Sequence, residues 1–150
     1  MTRSERLAPV QRVLGQTEQQ RARDLGEARQ RLVAAETKLQ DLQQYRQDYE
    51  RVFQQRATTG QSVMALRDFQ VFLARLDQAI QQQGQIAEAA RGDVAGRTTR
   101  WQSAARQVKA VDSVVGRWQG EERRADDRRE QKDTDERAQR GSAARTPENR

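Results

Sequence analysis

From Leu66 to Val115 every seventh residue is apolar: Leu66, Leu73, Ile80, Ala87, Val94, Trp101, Val108 and Val115. A second series, three residues on, reads Phe69, Leu76, Gln83, Ala90, Arg97, Ala104, Val111 and Trp118. Two interleaved seven-residue series, kept up across a long stretch, predict a helix that buries one narrow stripe against a partner helix. A stripe so thin does not wall a catalytic pocket.

The first third of the chain follows the same grammar. Its series are Gln11, Glu18, Leu25, Leu32, Leu39, Arg46, Phe53 and Leu7, Leu14, Arg21, Ala28, Ala35, Leu42, Tyr49. Three of its four polar members precede Leu25, so the outer end of this helix is expected to be the looser one. Ser4 is a candidate N-cap, and Pro9 is tolerable near a helix start, where a missing N–H costs least; the pattern leaves the start open between the two. Between the arms, Ala57-Thr58-Thr59-Gly60-Gln61-Ser62 reads as a turn, with Gly60 ending one helix in a left-handed conformation and Ser62 capping the next. A short loop between long helices makes them antiparallel neighbours.

The expected fold is therefore all-α: a long two-helix antiparallel coiled-coil hairpin with a C-terminal helical overhang. Helix 1 is expected over about 4–56, the turn over 57–62 and helix 2 over about 63–138, making one hairpin domain over 1–140. Facing residues should then have numbers adding to about 122, which sets Phe53 on Phe69, Tyr49 on Leu73, Ala35 on Ala87 and Ser4 on Trp118. Beyond Trp118 the aliphatic residues stop. Blocks such as Glu121-Glu122-Arg123-Arg124 and Asp126-Asp127-Arg128-Arg129 replace them, and pairing at i,i+3 or i,i+4 is expected to hold this segment helical. Residues 141–150 are expected to form a disordered tail.

Composition sharpens the picture by exclusion. Only 34% of the chain is hydrophobic, enough to cover a seam but not to fill a broad core. Without Cys or His there are no disulfides, no thiolate or imidazole metal ligands and no Ser-His or Cys-His nucleophile pair. The sequence predicts no catalytic residues, no cofactor and no metal. No apolar run reaches the roughly 20 residues of a membrane span, so direct membrane insertion is not expected and a cytosolic location is. The net charge of +6 divides as 11 basic and 8 acidic residues over 1–56, 8 and 5 over 57–120, and 9 and 9 over 121–150. Spread in this way along the chain, it does not form the basic arm of a nucleic-acid reader.

A few residues depart from the seam economy. Tyr45, Phe72 and Ala79 fall at flanking positions (g), where a solvated hairpin places Glu, Lys or Gln. With Leu42, Tyr49 and Leu76 they form an edge patch near the turn, which reads either as a widened core or as a binding surface. Trp101 faces Arg21 in a stacked cation–π layer in this register. Arg46 and Arg97 are expected to snorkel from the seam, and Gln83 to fix its register.

Three strings in this order resemble the flagellar export protein FliJ family over nearly the full length. They are Leu42-x-x-Tyr45-x-x-x-Tyr49, then Phe69-Gln70-x-Phe72-Leu73-x-x-Leu76-x-x-Ala79-Ile80, then Glu130-Gln131-Lys132-Asp133-x-Asp135-Glu136-x-Ala138. Departures from the family pattern fall at Lys38, Gln83 and Arg137. The resemblance implies a cytosolic, non-enzymatic component of the flagellar type III export apparatus, peripherally associated with the inner membrane. It implies contact with the export ATPase and its regulator, with the cytoplasmic domain of the export-gate protein FlhA, and with export chaperones. The gate-facing residues it implies are Leu42, Tyr45, Tyr49, Phe72, Leu76 and Ala79. The ATPase-facing ones are Glu130, Gln131, Lys132, Asp135 and Glu136. The competing expectation is a generic coiled-coil spacer, or the central stalk of another rotary-type ATPase.

Overall fold

The computed structural model describes residues 1–145. Two long helices packed against each other, α1 (Arg3–Ala57) and α2 (Val63–Ala144), make an all-α hairpin with no strand among the described residues. The chain divides into two compact units: Glu18–Ser103, which contains the turn, and a terminal unit of Met1–Thr17 with the residues from Ala104 onward.

In the turn-containing unit, Gly60 takes φ +82°, the left-handed value that only glycine adopts without strain. The last carbonyls of α1 are met by Thr58 and Thr59, whose hydroxyls donate to Gln55 and Arg56 at 2.7 Å. Ser62 then caps α2, its Oγ accepting the Ala65 amide at 3.2 Å. Local chemistry alone dictates this reversal.

The seam that follows is deepest at its alanines. Leu25, Ala28, Ala35, Leu76 and Ala87 are buried, and Ala28 and Ala87 are the deepest of them at 1% and 0% exposure. Among the described residues no large side chain is fully buried. At about 25 cal/mol per Å² of apolar area, alanines contribute little each, so stability is distributed along the seam rather than lodged in one core. The facing register appears at Phe53 and Phe69, whose rings stack 3.6 Å apart. Gln83, set opposite Leu39 by that register, lies buried and reaches one turn along α1 to donate Nε2 to the Ala35 carbonyl at 3.0 Å.

In the terminal unit, Ala104 and Val115 are buried. The start of α1 differs from both expected starts. Thr2 is the cap: its hydroxyl accepts the Glu5 amide at 3.3 Å while the Glu5 carboxylate accepts the Thr2 amide at 2.9 Å. That reciprocal pair is a capping box. It frees Ser4 to face α2, where its amide and hydroxyl both donate to the Glu122 carboxylate, at 3.2 and 2.7 Å. Pro9 sits within the helix rather than at its head.

At the other end, α2 continues through Gly141 to Ala144, past the point where the sequence pattern ends it. One helical glycine costs about 1 kcal/mol, and the Ala143-Ala144 pair that follows restores good helix formers. The remainder of the expected tail, 146–150, lies outside the described residues. The charge blocks after Glu121 do not pair as expected. Among the described residues beyond Glu122 the ion pair formed is Arg129–Asp126 at 3.8 Å. Long exposed side chains lose more rotamer entropy than such pairs return.

Candidate interaction edge

Five rings gather beside the turn. Phe53 stacks on Phe69, Tyr49 lies 5.2 Å from Phe69 and 4.3 Å from Phe72, and Tyr45 meets Phe72 edge-on at 6.1 Å. The order follows from heptad position. Tyr49, Phe53 and Phe69 occupy the seam, whereas Tyr45 and Phe72 stand on one flank of it. Burial follows the same gradient: Tyr49 and Phe72 are half-buried and Tyr45 is 51% exposed. Of the six residues implied to face the gate, Leu42 and Ala79 are also half-buried. Leu76 is buried and supports the patch from beneath.

The same flank carries two residues that the sequence reading passed over. Val52 and Ile86 are exposed at 44% and 55%. The signal was present, because Val52 lies seven residues from Tyr45, and Ile86 continues the series Phe72, Ala79. Toward the turn, Tyr49, Val52, Phe53 and Phe69 floor a groove of about 220 Å³ with Arg56 and Asp68 on its rim.

The opposite flank is closed by ion pairs. Arg46 leaves the seam to meet Asp77 and Glu50, the latter at 2.8 Å. Asp77, by hydrogen bond first, pushes the Arg46 guanidinium above its ordinary range. Arg91 bridges Glu88 at 2.9 Å and Glu36 at 3.2 Å, and is raised in the same way. Arg97 also snorkels, but toward the Tyr45 flank, bonding Asp93 at 2.9 Å and lying 4.0 Å from Asp24. The Arg97 hydrogen bond holds the Asp93 carboxyl below the usual carboxylate range. Trp101 is held by Glu18, which accepts its indole N–H at 2.8 Å; the expected stack on Arg21 is not the contact formed. The cation–π layer lies instead in the terminal unit, where the Arg3 guanidinium sits 4.7 Å over the Trp118 ring.

The residues implied to face the ATPase are all exposed on α2. Gln131, Lys132, Asp135 and Glu136 share one open helical face with Arg128 and Gln139, and Glu130 falls outside it. Among the described residues there is no cluster of ligands for a metal ion and no helix long and apolar enough to cross a membrane.

The family model for the flagellar FliJ protein matches residues 3–146. The chain belongs to the FliJ family. That makes it a flagellar export-associated protein. Neither the curated proteins nor the solved structures compared with the chain give a match. For this FliJ protein the aromatic flank and the bare face of α2 are therefore the surfaces to account for.

Proposed function

We infer that this FliJ protein is a non-enzymatic coupling and escort factor of the flagellar type III export apparatus. It works in the cytoplasm, held at the inner membrane only through the apparatus. The flank of Leu42, Tyr45, Tyr49, Phe72, Leu76 and Ala79 engages the cytoplasmic domain of the export gate FlhA. The exposed helix carrying Glu130, Gln131, Lys132, Asp135 and Glu136 meets the export ATPase and its regulator. Export chaperones are its remaining partners.

The observation behind this reading is Tyr45: a large aromatic, half exposed, in edge contact with Phe72 and off the seam. A ring that the hairpin does not need for closure is available to anchor a partner. The test is Tyr45→Ala with Phe72→Ala, measured for binding to the cytoplasmic domain of FlhA. Weakened binding with helicity nearly unchanged supports the reading. A large loss of helicity would make the pair a structural core and remove the surface.

A further inference from the structure

The two flanks of the Glu18–Ser103 unit differ in more than apolar character. On the flank of Arg46 and Arg91, each arginine that crosses the seam has two carboxylate partners. On the Tyr45 flank, moving away from the turn, the apolar zone ends at Ile86 and a basic zone begins. Its carboxylates are oversubscribed: Asp93 serves both Arg97, at 2.9 Å, and Arg31, at 3.6 Å. Arg21 and Arg100 converge with Arg97 and Asp24 at one place on this flank; Arg97 has two carboxylate partners there, whereas neither Arg21 nor Arg100 forms an ion pair among the described residues.

Folding creates this surplus. Along the chain the charge looks evenly spread, yet the hairpin sets residues 18–31 beside residues 91–103. Together these hold seven basic and four acidic side chains, whereas residues 32–90 hold six and seven. The basic excess of the unit is thus confined to the stretch next to the aromatic patch.

We propose that Arg21 and Arg100, the unpaired arginines beside Arg97, bind an acidic segment of the same protein partner that covers Tyr45. This deepens the proposed function and rests on it, adding the charge that the partner must carry beside its apolar contact. Guanidinium groups pair with carboxylates in fixed, two-pronged geometry, and unpaired ones at the end of an apolar patch set the direction in which a partner lies. A nucleic acid fits less well. Asp77, Glu36 and Glu88 line the other flank, and the apolar zone of Tyr45, Val52 and Ile86 calls for a surface that desolvates it.

The experiment uses the full chain and the cytoplasmic domain of FlhA as probe, with binding measured at low and at high salt. Arg21→Glu with Arg100→Glu is expected to weaken binding roughly tenfold and to flatten its salt dependence. Arg67→Glu with Arg75→Glu makes the same charge change on exposed residues that form no ion pair among the described residues, and is expected to change binding by less than about twofold. Equal weakening by the two pairs overturns the proposal, because net charge alone would then explain it. Wild-type binding by the Arg21/Arg100 variant, with loss in Tyr45→Ala, overturns it while leaving the proposed function standing. If neither variant weakens binding, both fall. Duplex DNA is the second probe, and DNA binding lost in the Arg21/Arg100 variant with FlhA binding retained also overturns it. Circular dichroism confirms the fold, with Arg21→Gln and Arg100→Gln in reserve should charge reversal unfold the helix.

Discussion

Gln83 donates its side-chain amide to the backbone carbonyl of Ala35 across the seam, at 3.0 Å, in a site where Gln83 is only 5% exposed. The acceptor lies beside the small Ala35 side chain, which leaves room for the amide, and a shift of one heptad would set Ala28 or Leu42 there instead. A seam built from Ala28, Ala35 and Ala87 offers few shape differences between neighbouring registers, so a directional polar contact is what distinguishes them.

Replacing this amide separates stability from specificity. Gln83→Ala removes the bond and leaves a gap, and is expected to cost about 1–2 kcal/mol in urea unfolding. Gln83→Leu is expected to keep or raise stability while relaxing the register. Pairs of engineered cysteines, in a chain that has none of its own, read that relaxation out. A Leu variant holding a single crosslinking register would show that the alanines suffice.

The glycines separate turn from helix. Gly60 has φ +82°, so Gly60→Ala forces a Cβ into a strained conformation and is expected to destabilise by about 1–2 kcal/mol. At Gly92 and Gly96, both inside α2, an added Cβ meets nothing within 4 Å. Each Gly→Ala change there is expected to stabilise by about 0.5–1 kcal/mol. Thermal melts of the three single variants measure all of this.

Much of the hairpin was legible because its signals are local or strictly periodic. Gly60 and Ser62 sit where turn chemistry requires them, and Phe53 meets Phe69 as the heptads dictate. Thr2 was missed although Thr2-x-x-Glu5 is a capping signature, because Ser4 and Pro9 drew the start inward. Trp101 illustrates a different limit. Arg21 lies opposite it by numbering, but the contact formed is to Glu18, three residues nearer the N-terminus on the same face, and side-chain reach decides between them. The basic zone of Arg21, Arg97 and Arg100 was invisible along the chain because it arises from two stretches that only folding brings together.

Acid should loosen the terminal unit as Glu122 takes up its proton. The Ser4 hydroxyl, ahead of its amide and the Arg3 charge, holds the Glu122 carboxyl below its ordinary range. A carboxyl whose folded pKa lies below the unfolded one stabilises above the unfolded value, and that contribution is lost as pH falls through the folded value. Trp118 lies beneath Arg3, whose guanidinium also bonds Glu121 at 2.9 Å, so its fluorescence should report the loss. In a Trp101→Phe background, acid titration is expected to give a Trp118 transition below the usual carboxylate range. Ser4→Ala is expected to shift that transition to higher pH, and an unmoved midpoint would show that Ser4 does not hold the clamp.

Amide exchange should divide α2 sharply. Val115 is buried and Ala125 is half-buried, after which every described residue to Arg145 is exposed, with one ion pair at Arg129–Asp126. A helical segment with neither a covered face nor a network of pairs is held only by its own backbone hydrogen bonds, which are marginal in water. Protection is therefore expected to fall by orders of magnitude between Val115 and Lys132. Binding the export ATPase should raise it over Glu130–Glu136 first, since these residues stand on or beside the open face. Protection that stays high to Ala144 in the free protein would mean that something other than the contacts seen here stabilises this end.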